Sequence, residues 1–325
     1  MGSYIMVSII NFKSRIFTRH SSLVTRHLSL VIRHLSPVTC HLSLIACHLL
    51  LSLCTLTAQE AGRPPVWGIA KMTFLVSDMD MARDYYGRFL GFDEAFSYPS
   101  PLGMVVSFKV SDRQFLEFIV DKDARSKKRL VSISFETDAV DRMRDYLIAQ
   151  KVRDVGKTTI DGAGNEVFTV DDNWGNTVEF IRFNDNGLHK LSKGKFLSEN
   201  RISKRIHHAG LYSEKIDEQD PFWVGALKCR ELVRYPEDKT QAPVILYLGM
   251  GNSTENIELY TPNDPNFGHP CFAVDDMQDT VYTLKERAQG QRLSAPSIGR
   301  GKRWLLNLSN PDNTKVEFTE LHTVK

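Results

Sequence analysis

Four times between Ile69 and Phe318 the chain passes through the same series of segments: a short apolar strand, a helix, and further strands ending in an apolar-Glu-apolar triplet. The opening strands are Ile69–Phe74, Val131–Phe135, Ile206–Leu211 and Gly268–Val274. The closing ones are Phe115–Ile119, Thr177–Ile181, Asn256–Tyr260 and Lys315–Phe318. Matched positions lie at near-constant separation: Lys71 to Glu117 is 46 residues, Ser132 to Glu179 is 47, His208 to Glu258 is 50 and His269 to Glu317 is 48. Spacing this regular marks an internal repeat of one supersecondary unit, and it constrains the fold more than any single motif. The unit reads as βαβββ, so the expected class is α+β, with four modules paired into two domains.

Helix and strand signals agree with that reading. Ser77-Asp78-Met79-Asp80 precedes Met81, Tyr85, Phe89 and Leu90 at helical spacing, and Gly91 follows as a stop. The matching helices begin near Asp138, Asp217 and Asp275, the second and fourth covering Val140–Gln150 and Met277–Ala288. Clusters such as Asp171-Asp172-Asn173-Trp174-Gly175-Asn176 and Asn310-Pro311-Asp312-Asn313 are turns before a last strand. Successive strand side chains point to opposite faces, so Ile257 and Leu259 pack on helices while Glu258 faces away from them. By the same parity His208, Gly210, Tyr212, His269, Cys271 and Glu317 lie on that second face. A sheet with one helix-covered face can curl against a second copy and enclose a cleft, which these residues would line.

The boundaries expected from composition are a leader over 1–58, a first domain over 66–183, a linker over 184–204 and a second domain over 205–321. The linker has no apolar period and carries Lys190, Lys193, Lys195 and Lys204, so it reads as solvated. The leader contains a drifting seven-residue unit, from TRHSSLV through ACHLLLS, which is low-complexity sequence. Its last part, Leu42–Thr57, is apolar and ends in small residues, as a signal peptide does, so cleavage after Ala58 and export to the periplasm or medium are expected. Without such processing the location would be cytoplasmic. The apolar core is too short and too interrupted for a stable membrane span. Of the net charge of +2, residues 1–60 supply +4 through Lys13, Arg15, Arg19, Arg26 and Arg33 against Glu60, leaving the remainder at −2. That balance offers no footprint for nucleic acid. Only Cys229 and Cys271 lie outside the leader, too few for a disulfide framework, and Cys271 reads as a small buried hydrophobe.

His208, Glu258, His269 and Glu317 form the candidate site. Two imidazoles and two carboxylates on one face make a mixed nitrogen and oxygen donor set suited to a divalent ion such as Zn, Ni, Mn or Fe. The set is neither thiolate-rich, as in structural zinc cages, nor all-oxygen, as for calcium. His207 competes with His208 for the first position; aligning Ile206 with Ile69 favours His208 and turns His207 toward the helices or solvent. In the first half the same positions hold Lys71, Glu117, Ser132 and Glu179. There an ammonium stands in for a metal, and Lys71 is expected to pair with Glu117 or Glu179.

These blocks, with Phe89-Leu90-Gly91-Phe92, Phe272-Ala273-Val274-Asp275-Asp276 and Asn310-Pro311-Asp312, resemble the vicinal oxygen chelate superfamily of glyoxalases, bleomycin-resistance proteins and extradiol dioxygenases. The resemblance covers nearly everything from Trp67 to Leu321. It implies paired βαβββ modules forming open barrels, with a divalent metal in the cleft held at His208, Glu258, His269 and Glu317. Its leading functional implication is a glyoxalase-like lyase or isomerase acting on a small oxygenated molecule, with Glu258 or Glu317 moving a proton. The alternatives are an Fe(II) extradiol-type dioxygenase using His208, His269 and Glu317, or a non-catalytic binding protein with Tyr212, Tyr247, Tyr260 and Trp304 around its ligand. Dioxygenases of the family carry a His and then a Tyr shortly before the last turn, whereas Ser297 to Arg300 offers no His and Asn307 stands where the Tyr belongs. The expected partner is a small-molecule substrate, and the expected assembly a monomer or homodimer.

Overall fold

The computed structural model describes residues 62–251, 253–261, 268–290 and 293–324. The leader and its signal-peptide reading therefore lie outside the described residues. Arg63–Lys325 forms one compact unit built on two eight-stranded sheets.

The first sheet contains β1 (Gly68–Val76), β2 (Asp93–Ser100), β3 (Gly103–Lys109), β4 (Phe115–Val120), β5 (Leu130–Glu136), β6 (Thr159–Ile160), β7 (Glu166–Asp171) and β8 (Thr177–Arg182). Its order is β2-β3-β4-β1-β5-β8-β7-β6. The second sheet contains β9 (Ile206–Tyr212), β10 (Arg230–Tyr235), β11 (Ile245–Gly249), β12 (Asn256–Tyr260), β13 (His269–Val274), β14 (Ser297–Ile298), β15 (Trp304–Ser309) and β16 (Lys315–Glu320). It repeats the same order, β10-β11-β12-β9-β13-β16-β15-β14. In each sheet two βαβββ modules meet through their first strands, β1 antiparallel to β5 and β9 antiparallel to β13. Within each module the first strand runs parallel to the last, and the helix supplies the crossover that a parallel pair needs. The expected α+β architecture of four βαβββ modules in two open barrels is the one observed.

The helices follow their capping signals. Asp78 accepts from the backbone N–H groups of Asp80 and Met81 to start α1 (Met79–Ala82), which continues as a π-helical run over Arg83–Phe89. α2 (Val140–Ala149) buries Val140, Met143, Tyr146 and Leu147. In the third module Asp220 caps a π-helical run, Pro221–Ala226, that starts later than the helix expected near Asp217. In the fourth module α4 (Met277–Arg287) is capped by Asp276.

Side chains from both halves lie in one continuous apolar cluster. Phe92 meets Phe272 with ring centroids 5.1 Å apart, and Phe135 meets Trp223 at 6.2 Å. Polar contacts cross the same boundary: Trp223 Nε1 donates to Asp172, and Ser77 to Asp312. The segment joining the halves differs from its sequence reading. It contains α3 (Leu188–Leu191), and His189, Ser192 and Ser203 are buried, while Lys109 Nζ donates to the carbonyls of Ser192 and Lys195. Its lysines face water and hide the fact that His189 is drawn into the first cleft by apolar and hydrogen-bonding partners. Among the described residues no helix is long and apolar enough to cross a membrane.

Candidate metal centre

Strand register explains why the four predicted donors meet. Gly210 on β9 lies opposite Glu258 on β12 and opposite His269 on β13, so Glu258, Gly210 and His269 form one row across three strands. Two residues along, His208 lies opposite Asn256 and Cys271, and Cys271 opposite Glu317, giving a second row on the same face. Neighbouring strands are about 4.8 Å apart, so Glu258 and His269 must reach toward each other over the middle residue of their row. That residue has no side chain. A Cβ on Gly210 would run into the His269 ring.

The result is a buried cluster whose ligand atoms all lie within 4.8 Å of one another. His208 Nε2 is 3.2 Å from Glu317 Oε2 and 3.7 Å from Glu258 Oε2; His269 Nε2 is 3.3 Å and 3.6 Å from the same two oxygens. Nitrogen and oxygen therefore alternate around a small ring. A tetrahedral ion with bonds of ~2.0–2.1 Å sets its donors about 3.3 Å apart, within the range seen here. Glu258 Oε2 is buried and accepts no hydrogen bond, although its other oxygen accepts from Tyr247 at 3.0 Å. A buried carboxylate oxygen without a donor is costly unless a cation or proton meets it. The donor set and this oxygen both fit a divalent cation.

The two carboxylates differ. Burial and then the charge of Glu317 push Glu258 above the usual carboxylate range. Burial acts on Glu317 in the same direction but is outweighed by the His269 and His208 imidazoles, which hold it well below that range. Glu317 also pairs with Lys315 through its second oxygen. The Cys271 thiol is pushed well up, first by burial and then by Glu317 and Glu258, so it stays an inert neutral group.

His207 does not turn toward the helices or solvent, as simple alternation predicted. Between β9 and β13 the register runs from Cys271↔His208 to Phe272↔Ile206, leaving His207 as the extra residue of a β-bulge. A bulge re-aims its side chain. His207 is consequently buried on the cleft side, its Nδ1 2.9 Å from His208 Nδ1, and Arg303 NH1 reaches its Nε2 at 3.0 Å. A guanidinium only donates, so Nε2 of His207 accepts from Arg303. His207 thus stands behind His208 while His208 faces the other three donors.

In the first half the corresponding row places Lys71 in the centre of the cleft. Its Nζ lies 3.1 Å from Glu117 Oε2, 3.3 Å from Glu179 Oε1 and 3.9 Å from Asp161 Oδ2, so the expected pairing involves both carboxylates. Tyr98 donates to Glu117 Oε2 at 2.6 Å and accepts from Lys71. Burial would raise the Glu117 pKa, but Lys71 and then His189 outweigh it and hold it at about 2. His189 completes this cleft. Its Nδ1 accepts from Asn165 at 2.8 Å, its Nε2–H donates to Glu117 Oε1 at 3.0 Å, and its ring stacks on Phe183. Sequence reasoning missed His189, Tyr98 and Asp161; the signal for His189 is its place between Leu188 and Leu191 in a segment whose lysines point to solvent.

Beside the second cluster lies a cavity of about 220 Å³, lined among others by His207, His208, Tyr247, Leu232, Leu305 and Arg303. Of the four aromatics considered as ligand contacts, only Tyr247 lines it. Tyr260 instead lies under the Arg300 guanidinium.

The model of the Glyoxalase/Bleomycin resistance protein/Dioxygenase superfamily matches residues 68–180. No curated protein matches the chain in sequence. Among solved structures, the Mn(II)-bound glyoxalase from Novosphingobium aromaticivorans is 15% identical with a TM-score of 0.61, covering 79% of this chain and 82% of that one. The 2,3-dioxygenase LapB from Pseudomonas sp. KL28 is 13% identical with a TM-score of 0.60, covering 80% and 93%. The homoprotocatechuate 2,3-dioxygenase from Brevibacterium fuscum, in complex with 3,4-dihydroxyphenylacetate, is 14% identical with a TM-score of 0.59, covering 80% and 82%. At such identities the likeness speaks for the fold alone.

Proposed function

As residues 68–180 match the model of the Glyoxalase/Bleomycin resistance protein/Dioxygenase superfamily and the second sheet repeats the strand order of the first, we propose that the second half is a metal-dependent lyase or isomerase of glyoxalase type, acting on a small oxygenated molecule. The observation that carries this reading is the four-donor cluster of His208, Glu258, His269 and Glu317, buried and drawn together around one point. These four residues would hold the ion. A bound divalent ion supplies Lewis acidity, polarising a substrate carbonyl or enediolate oxygen.

The chain's own groups divide the remaining work. Glu317 is anchored by Lys315 on one oxygen and by His208 on the other, which suits a fixed ligand. Glu258 accepts a hydrogen bond from Tyr247 on one oxygen, and its other lies at the longer distances of 3.7 Å from His208 and 3.6 Å from His269, so it is the less firmly held carboxylate and the one able to turn toward a substrate C–H and move its proton. Tyr247 orients Glu258 and forms part of the cavity wall, where it can follow the same proton. His207 positions His208 from behind. The dioxygenase alternative would use three of the same donors, His208, His269 and Glu317; against it stands Asn307, which pairs with Glu317 on the neighbouring strand where the resemblance to dioxygenases calls for a Tyr.

The test is the metal content of the full chain after loading with Ni, Zn, Mn or Fe(II), for wild type, Glu258→Gln and His269→Ala. Deuterium exchange at C–H groups next to a carbonyl is then followed by NMR over a panel of small 2-oxo and 2-hydroxy compounds. Near-stoichiometric metal in wild type, its loss in His269→Ala, and exchange abolished by Glu258→Gln are expected. A chain that takes up no divalent ion under any loading, or one that consumes oxygen with Fe(II), overturns the proposal.

A further inference from the structure

The cavity beside the cluster contains a cation with no acidic partner. Among the described residues no carboxylate lines it, and Arg303 has no carboxylate within ion-pair distance. Its neighbours in the same turn are accounted for: Lys302 pairs with Glu237 at 2.6 Å, and Arg300 stacks over the Tyr235 ring at 4.9 Å. Arg303 differs from both because it lines the cavity, with NH1 held by the neutral acceptor His207 Nε2 at 3.0 Å. This contact fixes the guanidinium plane without neutralising it. The Nε and NH2 edge makes no hydrogen bond to any described residue, and that edge is the fork that matches a carboxylate bidentately.

We infer that Arg303 is the anchor for an anionic substrate, so that the molecule turned over here is a small carboxylate with its reacting oxygens at the His208 end of the cavity and its carboxylate on the Arg303 fork. The inference rests on the proposed function only for the reacting end. The apolar part of the lining supports it: Leu232 and Leu305 offer contact for a short hydrocarbon body beside the polar groups. Size points the same way. A volume of about 220 Å³ corresponds to roughly seven waters, below the ~300–1,000 Å³ of sites for larger ligands. A half-buried guanidinium without an acidic partner also favours an anion over a neutral molecule of equal shape, because a neutral occupant would displace water from it and leave it unpaired.

Calorimetric titration of the full chain with benzoate, with its uncharged analogue benzyl alcohol and with inorganic phosphate tests the assignment, using wild type, Arg303→Gln and Arg303→Lys. Metal content is measured on each sample. Benzoate should bind at least tenfold more tightly than benzyl alcohol. Arg303→Gln should erase that preference and Arg303→Lys keep part of it, with metal content and melting temperature unchanged in both. Equal binding of benzoate and benzyl alcohol, or an intact preference in Arg303→Gln, overturns the assignment. Phosphate binding more tightly than benzoate overturns the choice of a carboxylate. Absence of metal from wild type would count against the proposed function instead, and the benzoate preference would still be readable, since Arg303 touches none of the four donors.

Discussion

Replacing Lys71 with methionine should destabilise the protein by about 3–5 kcal/mol at pH 7, because it leaves the buried Glu117 and the half-buried Glu179 charged without their shared ammonium. The structure gives an independent check on that size. Glu117 has a side chain only 1% exposed and is held at about 2 instead of the usual 4.5, first against its own burial, by Lys71 and His189. A depression of that extent is worth about 3 kcal/mol at neutral pH. Its sign follows from linkage: the folded state holds the charged form more tightly than the unfolded one. The contribution is therefore complete above about pH 4.5 and disappears as the pH falls toward 2. In Lys71→Met the strongest opponent of burial is gone, so the Glu117 pKa rises above its unfolded value. The difference in stability between wild type and variant should then shrink as the pH is lowered from 7 to 4, where the variant can protonate the carboxylate. Urea unfolding followed by tryptophan fluorescence at pH 7, 5.5 and 4, with EDTA present to keep the second cleft free of metal, measures the difference directly. At this chain length a loss of about 3 kcal/mol corresponds to a melting temperature roughly 6–12 °C lower. A variant within 1 kcal/mol of wild type at pH 7, or a difference that does not depend on pH, would refute the account of the first cleft as a charge-compensated one.

Other outcomes follow from single contacts. Gly210→Ala should displace the His269 ring and weaken metal uptake by at least tenfold, measured by competition with a chromophoric chelator, whereas Thr73→Ala at the equivalent place in the first half should leave uptake unchanged. His189→Ala should cost about 2–4 kcal/mol through lost stacking and an unsatisfied Glu117, read by urea unfolding, with no change in metal content. Tyr247→Phe removes the hydroxyl that orients Glu258; metal affinity measured by calorimetry should fall about tenfold while the melting temperature of the metal-free chain barely moves.

The fold was legible because its signal is local and repeated. Alternation along Asn256–Tyr260 and Lys315–Glu320 sorts each glutamate from the apolar residues beside it, and a single register across four blocks carries the helices, turns and closing strands into equivalent positions. The cluster was legible for the same reason: parity puts His208, Glu258, His269 and Glu317 on one face, and the repeat puts them on adjacent strands. The Lys71 substitution could be read by comparing copies, as could its pairing with the carboxylates.

Other features depended on contacts between distant segments, which no local period encodes. His207 reaches the cleft because the β9–β13 pairing contains one extra residue on one side, a property of two strands together. His189 enters the first cleft from a segment whose charges advertise solvent, because Phe183, Phe115 and Glu117 are brought to it by strands up to 74 residues away in sequence. Arg303 has cationic neighbours at 300 and 302, and only the folded chain separates the one facing the cavity from the one on a tyrosine and the one on a glutamate. The sequence by itself determined which face of each strand carries chemistry, since side-chain alternation is a property of the backbone. The tertiary structure decided which of those groups meet, because meeting depends on strand register and on what the rest of the chain leaves unpaired.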